Sequence, residues 1–147
     1  MKKKYFFTVY FLIIFLLSGC GFEPTYSSKK FLFRVDKINY EYNKINSQIA
    51  RSLKSISNQN AKNILDINLK SRKEKKIISK NKSGDPEIFE LIIYVDIEVK
   101  EIQKNFISKQ NYKNNENKFE LNEYEIEIEK QLVNEIIDNI LIYLANV

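Results

Sequence analysis

From Phe89 to Val99 the chain alternates without a break. Phe89, Leu91, Ile93, Val95, Ile97 and Val99 fall on one face; Glu90, Ile92, Tyr94, Asp96, Glu98 and Lys100 fall on the other. A period of two puts the first set on the buried side of a β-strand and leaves the second mostly in water, as in an antiparallel strand covered on one side. The run measures about 36 Å. Upstream, Leu65, Ile67 and Leu69 alternate with Asp66, Asn68 and Lys70 in a second strand starting near Asn63. That strand stays extended as it turns polar through Ser71-Arg72-Lys73-Glu74-Lys75-Lys76 to Ile77-Ile78. Lys82-Ser83-Gly84-Asp85-Pro86 reads as a turn, with Gly84 free to take positive φ. After Val99 the chain is expected to reverse around Gln103-Lys104-Asn105, and Phe106 to Lys113 to return as a polar fourth strand. Near the start, Phe31, Phe33 and Val35 share a face that Ile38 and Tyr40 continue after a slip of one residue. This predicts a strand over 30–41 with a bulge or bend near Asp36-Lys37.

Helical spacing fills the rest. Ile45, Ile49, Leu53 and Ile56, with Ala50 beside them, recur every three or four residues. Asn43 or Asn46 caps the start of this helix, and Asn58 to Asn60 form a polar stop. A last helix is predicted from about Phe119 to Ala145, with a stripe of Ile126, Val133, Ile137, Ile140 and Leu144 widened by Ile128, Leu132, Ile136 and Leu141. Its cap is Asn122 with Glu125, or Asn117 with Glu120. Glu123, Glu125, Glu127 and Glu129 suit the positive helix start and read as a solvated face. Over 119–128, Tyr124, Ile126 and Ile128 also alternate as a strand would; the helical stripe downstream, with no turn residue between, favours helix. Such a helix is about 40 Å long and covers the whole apolar face of the hairpin. The expected fold is α+β: a two-layer sandwich in the order β-α-β-β-β-α, a mostly antiparallel four-stranded sheet with two helices on one face.

The first twenty residues follow another rule. Lys2, Lys3 and Lys4 precede an apolar run from Tyr5 to Leu17, broken only by Thr8, and then Leu17-Ser18-Gly19-Cys20. A basic start, an apolar middle and small residues at the end make a secretory signal peptide. The run reaches about 20 Å as a helix, short of a hydrocarbon core of about 30 Å. The tetrad resembles the lipobox of bacterial lipoproteins. That implies cleavage before Cys20, with Leu17, Ser18 and Gly19 as the recognition residues and the Cys20 thiol as the lipid acceptor. An uncleaved signal anchor is the alternative. Tri-acylation gives firm attachment, since each buried CH₂ contributes about 0.8 kcal/mol and one chain alone is marginal. Cys20 is the only cysteine, so no intramolecular disulfide forms. The organisation is then a signal peptide over 1–19, a lipidated N-terminus and tether over 20–29, and a single α+β periplasm-facing domain over 30–147.

Charge is divided along the chain. Residues 29–82 carry a net +11 and residues 83–147 a net −8, so the halves attract each other and each presents a field to a partner. With the leader lysines removed, the mature side chains sum to only +2. There is no histidine, which with a single lipidated cysteine leaves no nucleophile–base pair and no Cys/His metal site. Three glycines are too few for a phosphate loop. No enzyme, cofactor or metal is expected, and a periplasmic address argues against nucleic acid.

At Cys20-Gly21-Phe22-Glu23-Pro24-Thr25-Tyr26 the chain resembles the LptE family of lipopolysaccharide-assembly lipoproteins, and the order of elements is similar along the whole mature chain. The resemblance implies a lipoprotein that sits as a plug inside a large outer-membrane β-barrel, helps that barrel assemble, binds lipopolysaccharide and aids its insertion into the outer leaflet. Gly21, where an Asp would signal retention, is compatible by analogy with release to the outer membrane. A narrow body with one wet sheet face suits a polar barrel lumen. The alternatives are a generic outer-membrane accessory of another envelope machine, such as a secretin pilot or a barrel-assembly accessory, and a periplasmic lipid-binding module. Two sets of candidate residues remain. Lys70, Arg72 and Lys76 share one face of the second strand, with Lys73 and Lys75 on the other; the cluster is a lipid A phosphate contact or a solvated strand in a lysine-rich chain. Tyr94, on the wetter face of the third strand, is packing or a barrel contact.

Overall fold

A computed structural model describes residues 32–147. The signal peptide, the lipobox residues Leu17, Ser18 and Gly19, the lipid acceptor Cys20 and the tether over 20–29 lie outside the described residues. The elements run β1 (Phe33–Tyr40), α1 (Lys44–Ile56), β2 (Asn63–Lys80), β3 (Pro86–Val99), β4 (Ile102–Lys113) and α2 (Lys118–Leu144). They form one four-stranded sheet in the order β1-β2-β3-β4. β1 lies parallel to β2, which requires the α1 crossover between them, and the other two pairings are antiparallel. The expected α+β architecture is the observed one.

Local chemistry sets the element ends. Asn43 caps α1, its Oδ1 accepting from the Asn46 amide at 2.7 Å, and Asn117 caps α2 by accepting from Phe119 and Glu120. With that cap made and Leu121 and Ile128 buried, residues 119–128 are helix. The slip in β1 is a register shift between Val35 and Lys37. In the β2–β3 turn Gly84 takes φ +89°, and Asn81 Oδ1 accepts from the Ser83 and Asp85 amides.

The core lies between the sheet and the helices. All six alternate apolar residues of β3 are buried, as are Leu65, Ile67 and Leu69 of β2, and α2 presses Leu132, Val133, Ile136, Ile140 and Leu144 onto them. Four sequence expectations need correction. The β3–β4 reversal falls at Lys100-Glu101, not at Gln103-Lys104-Asn105: both residues take positive φ, and Val99 pairs directly with Ile102. Two positive φ values are what a two-residue hairpin of matching twist demands. Ile126 is left 42% exposed on the flank of α2 rather than buried in its stripe. Ile92, on the face that was expected to be mostly wet, is buried; its cross-strand neighbours Glu74 and Lys109 bring side chains whose stems can cover it. Glu129 belongs to no solvated face; only 7% of it is exposed.

Candidate functional site

β2 changes character at its middle. Tyr40, the last residue of β1, pairs with Leu69, and α1 begins just beyond, at Lys44. From there on β2 has β3 on one side and no strand on the other among the described residues. On its helix-facing side Ser71, Lys73 and Lys75 take over from Leu65, Ile67 and Leu69. These lysines reach up to α2. Lys73 Nζ donates to Glu129 Oε2 at 2.6 Å, Lys44 Nζ stands 3.3 Å from the other oxygen, and Lys75 Nζ donates to Glu125. Glu125 also accepts from the Tyr112 hydroxyl at 2.8 Å, and the Lys75 ammonium lies 4.0 Å above the Phe89 ring. The pairing is a match of repeats. Two residues of strand advance about 7 Å and four of helix about 6 Å. Lys73 and Lys75 therefore meet Glu129 and Glu125 in one antiparallel register.

Burial alone would raise the Glu129 carboxyl. The hydrogen bonds and charges of Lys73 and then Lys44 outweigh it, and the group is held below its ordinary value. Tyr112 is pushed the other way, upward, by burial first and then by its hydrogen bond to Glu125 and that carboxylate's charge. Neither group is poised for proton transfer near neutral pH: one stays ionised and the other neutral. The ion pairs are structural, tying the basic first half of the chain to its acidic second half. A cleft of about 360 Å³ lies against them, lined by Asn43, Lys44, Ile45, Ser71, Lys73, Ile126 and Glu129.

The opposite sheet face carries the remaining candidates. Lys70, Arg72 and Lys76 stand there together, with Tyr94 opposite Arg72 on β3. The Arg72 guanidinium lies 3.5 Å from the centre of the Tyr94 ring, a cation–π contact. Glu74 sits between the cations, 3.6 Å from Arg72 and 3.5 Å from Lys76, and accepts from the Tyr94 hydroxyl at 3.3 Å. Lys70 is exposed opposite Asp96, beside a shallow polar depression that Asn68, Glu98 and Gln103 complete. The five cations thus divide by strand period. Lys70, Arg72 and Lys76 form the open ridge, while Lys73 and Lys75 are engaged with α2. Their partners Glu125 and Glu129 are two of the glutamates that the sequence alone places on a solvated face. The available signal was the spacing of four between those glutamates, set against the spacing of two between the lysines.

Among the described residues no cluster of acidic, histidine or cysteine side chains could hold a metal ion. No described helix is long and apolar enough to cross a membrane. The described residues thus bring together a cationic ridge on an open sheet face, a strand edge with no described strand beside it, and lysine–glutamate ties beneath.

Comparison with solved structures places this architecture. The chain shares the fold of solved bacterial lipoproteins. Rare lipoprotein B from Shewanella oneidensis superposes with a TM-score of 0.58 at 17% identity, over 76% of this chain and 95% of that one. An uncharacterized lipoprotein B from Nitrosomonas europaea gives the same TM-score and identity over 82% of this chain and 88% of that one. A minor lipoprotein from Acinetobacter baumannii also gives 0.58, at 8% identity, over 79% and 94%. No family model and no curated protein sequence matches the chain. At these identities the likeness is one of fold.

Proposed function

We propose that this chain is an outer-membrane lipoprotein, anchored through Cys20, that partners the large β-barrel of a lipopolysaccharide translocon. It helps that barrel assemble, plugs its lumen and assists insertion of lipopolysaccharide into the outer leaflet. The observation that carries the reading is the shared fold, which spans 95% of the solved Shewanella rare lipoprotein B, in a chain that opens with Leu17-Ser18-Gly19-Cys20-Gly21-Phe22. The physics agrees with a plug. The 27-residue α2 is about 40 Å long and gives a narrow two-layer body. That body carries helices on one face and a polar sheet on the other, suited to a polar lumen wall. In this reading the chain binds and positions and does no chemistry. Lys70 and Arg72, about 7 Å apart along one face, grip one phosphorylated sugar headgroup while Lys76 reaches a second, and Tyr94 meets the barrel.

The test is extraction of the lipoprotein from its own membranes in mild detergent. The expected result is a stable complex with one large β-barrel, and a fall in that barrel's level when the lipoprotein is depleted. A free monomer with barrel levels unchanged overturns the proposal, and a different co-purifying assembly moves the chain to another envelope machine.

A further inference from the structure

β1 stops against Leu69, yet the edge of β2 that it occupies runs on toward Lys80. In an antiparallel ladder alternate residues turn their N–H and C=O groups away from the partner strand. Over Arg72–Ile77 those groups face an edge with no strand on it among the described residues. Register with β3 is unbroken from Ile67 to Ile77 and shifts only at Ser79 and Lys80, so this stretch of about 20 Å keeps regular strand geometry. The helix layer is also open here. α1 starts at Lys44, and near its start α2 leaves Ile126 42% exposed, lining a cleft with Lys44 and Lys73.

We propose that this edge takes up an extended acidic segment of a partner protein, which lengthens the sheet in line with β1. Charge decides the occupant. Cations outnumber carboxylates on both faces of the edge: Arg72 and Lys76 share Glu74, and Lys44 and Lys73 share Glu129. Two copies of this chain meeting edge to edge would set the same cations against each other, the usual way lysines protect an edge from self-pairing. A strand with acidic side chains meets Arg72 and Lys76 on one face and the Lys73 and Lys75 side on the other. Backbone pairing supplies affinity and the charges supply choice. The inference concerns the backbone edge and holds or fails apart from the barrel and the headgroup.

The experiment uses the full lipidated protein in detergent with three synthetic peptides: alternating valine and glutamate, alternating valine and lysine, and the glutamate peptide N-methylated at every residue. The readout is amide hydrogen exchange over Arg72–Ile77. Saturating glutamate peptide should slow exchange there by about tenfold or more, while the other two peptides leave it unchanged. Arg72→Glu with Lys76→Glu should weaken the glutamate peptide by about tenfold. If that variant does not fold, the wild-type comparison of free and N-methylated peptides still decides. Unchanged exchange with the glutamate peptide overturns the inference. So does equal protection by the lysine or N-methylated peptide. Protection that rises with protein concentration in the absence of peptide assigns the edge to a second copy, and overturns it as well.

Discussion

The two halves of β2 show what a strand does when its cover changes. From Asn63 to Leu69 it has β1 beside it, joined from Ile67 by β3, and is roofed by helices, and Leu65, Ile67 and Leu69 are at most 1% exposed. From Lys70 to Lys80 it keeps β3 alone, and no residue is fully buried. The first half is held by apolar burial. The second is held by its ladder to β3 and by lysines reaching glutamates on α2. A strand supported in this second way can stand with an open edge and an open face, because charged side chains tolerate water that aliphatic ones do not. The half that contributes least to the core is therefore the half free to meet a partner.

Substitutions should separate the halves. Ile67→Ala removes a fully buried side chain and should cost about 3 kcal/mol in urea unfolding, whereas Lys75→Ala, in the open half, should cost about 1 kcal/mol or less. Equal costs would mean that the open half belongs to the same core. Lys73→Ala should fall between them, at about 2 kcal/mol near neutral pH, because it leaves the buried Glu129 carboxylate with only Lys44. This cost depends on pH with a definite sign. Glu129 is held below its ordinary value of 4.5 in the fold, so its contribution is complete above that value and is lost as pH falls through the lower, folded one. The gap between wild type and Lys73→Ala should close in acid; a gap that persists there would deny the ion pair. The smallest stability effect belongs to the ridge. Lys70→Glu with Arg72→Glu should leave melting nearly unchanged and weaken lipopolysaccharide binding by about tenfold at low salt, with the wild-type affinity itself falling as salt rises. Equal affinities at low salt would make the ridge a solvated strand.

Periodicity recovered whatever one element settles by itself. Six alternate apolar residues identified β3 because a strand with one wet face leaves no other arrangement, and the stripe from Leu132 to Leu144 identified α2 in the same way. The ambiguous stretch over 119–128 is decided by Asn117, whose side chain caps the helix; of the two caps the sequence offered, this is the one used. What stayed hidden depended on distant partners. The turn at Lys100-Glu101 has neither glycine nor asparagine; the pairing of β3 with β4 imposes its positive φ values, and Lys100 Nζ is anchored on Asn63 and Val147. Glu129 looks like one glutamate among four until β2 brings Lys73 beneath it, 56 residues away in sequence. The division of the five cations by face was legible, since it needs only a period of two. The carboxylates that hold two of them were not.

Under the proposed function, the open half of β2 is the end that meets the barrel and the roofed half is support. A photo-cross-linking residue placed in living cells at Lys76 or Ile78, and separately at exposed Arg51 on α1, tests it most directly. The expected result is adducts with one large β-barrel from Lys76 and Ile78, more abundant than any from Arg51. Barrel adducts from Arg51 with none from the hairpin positions would contradict it.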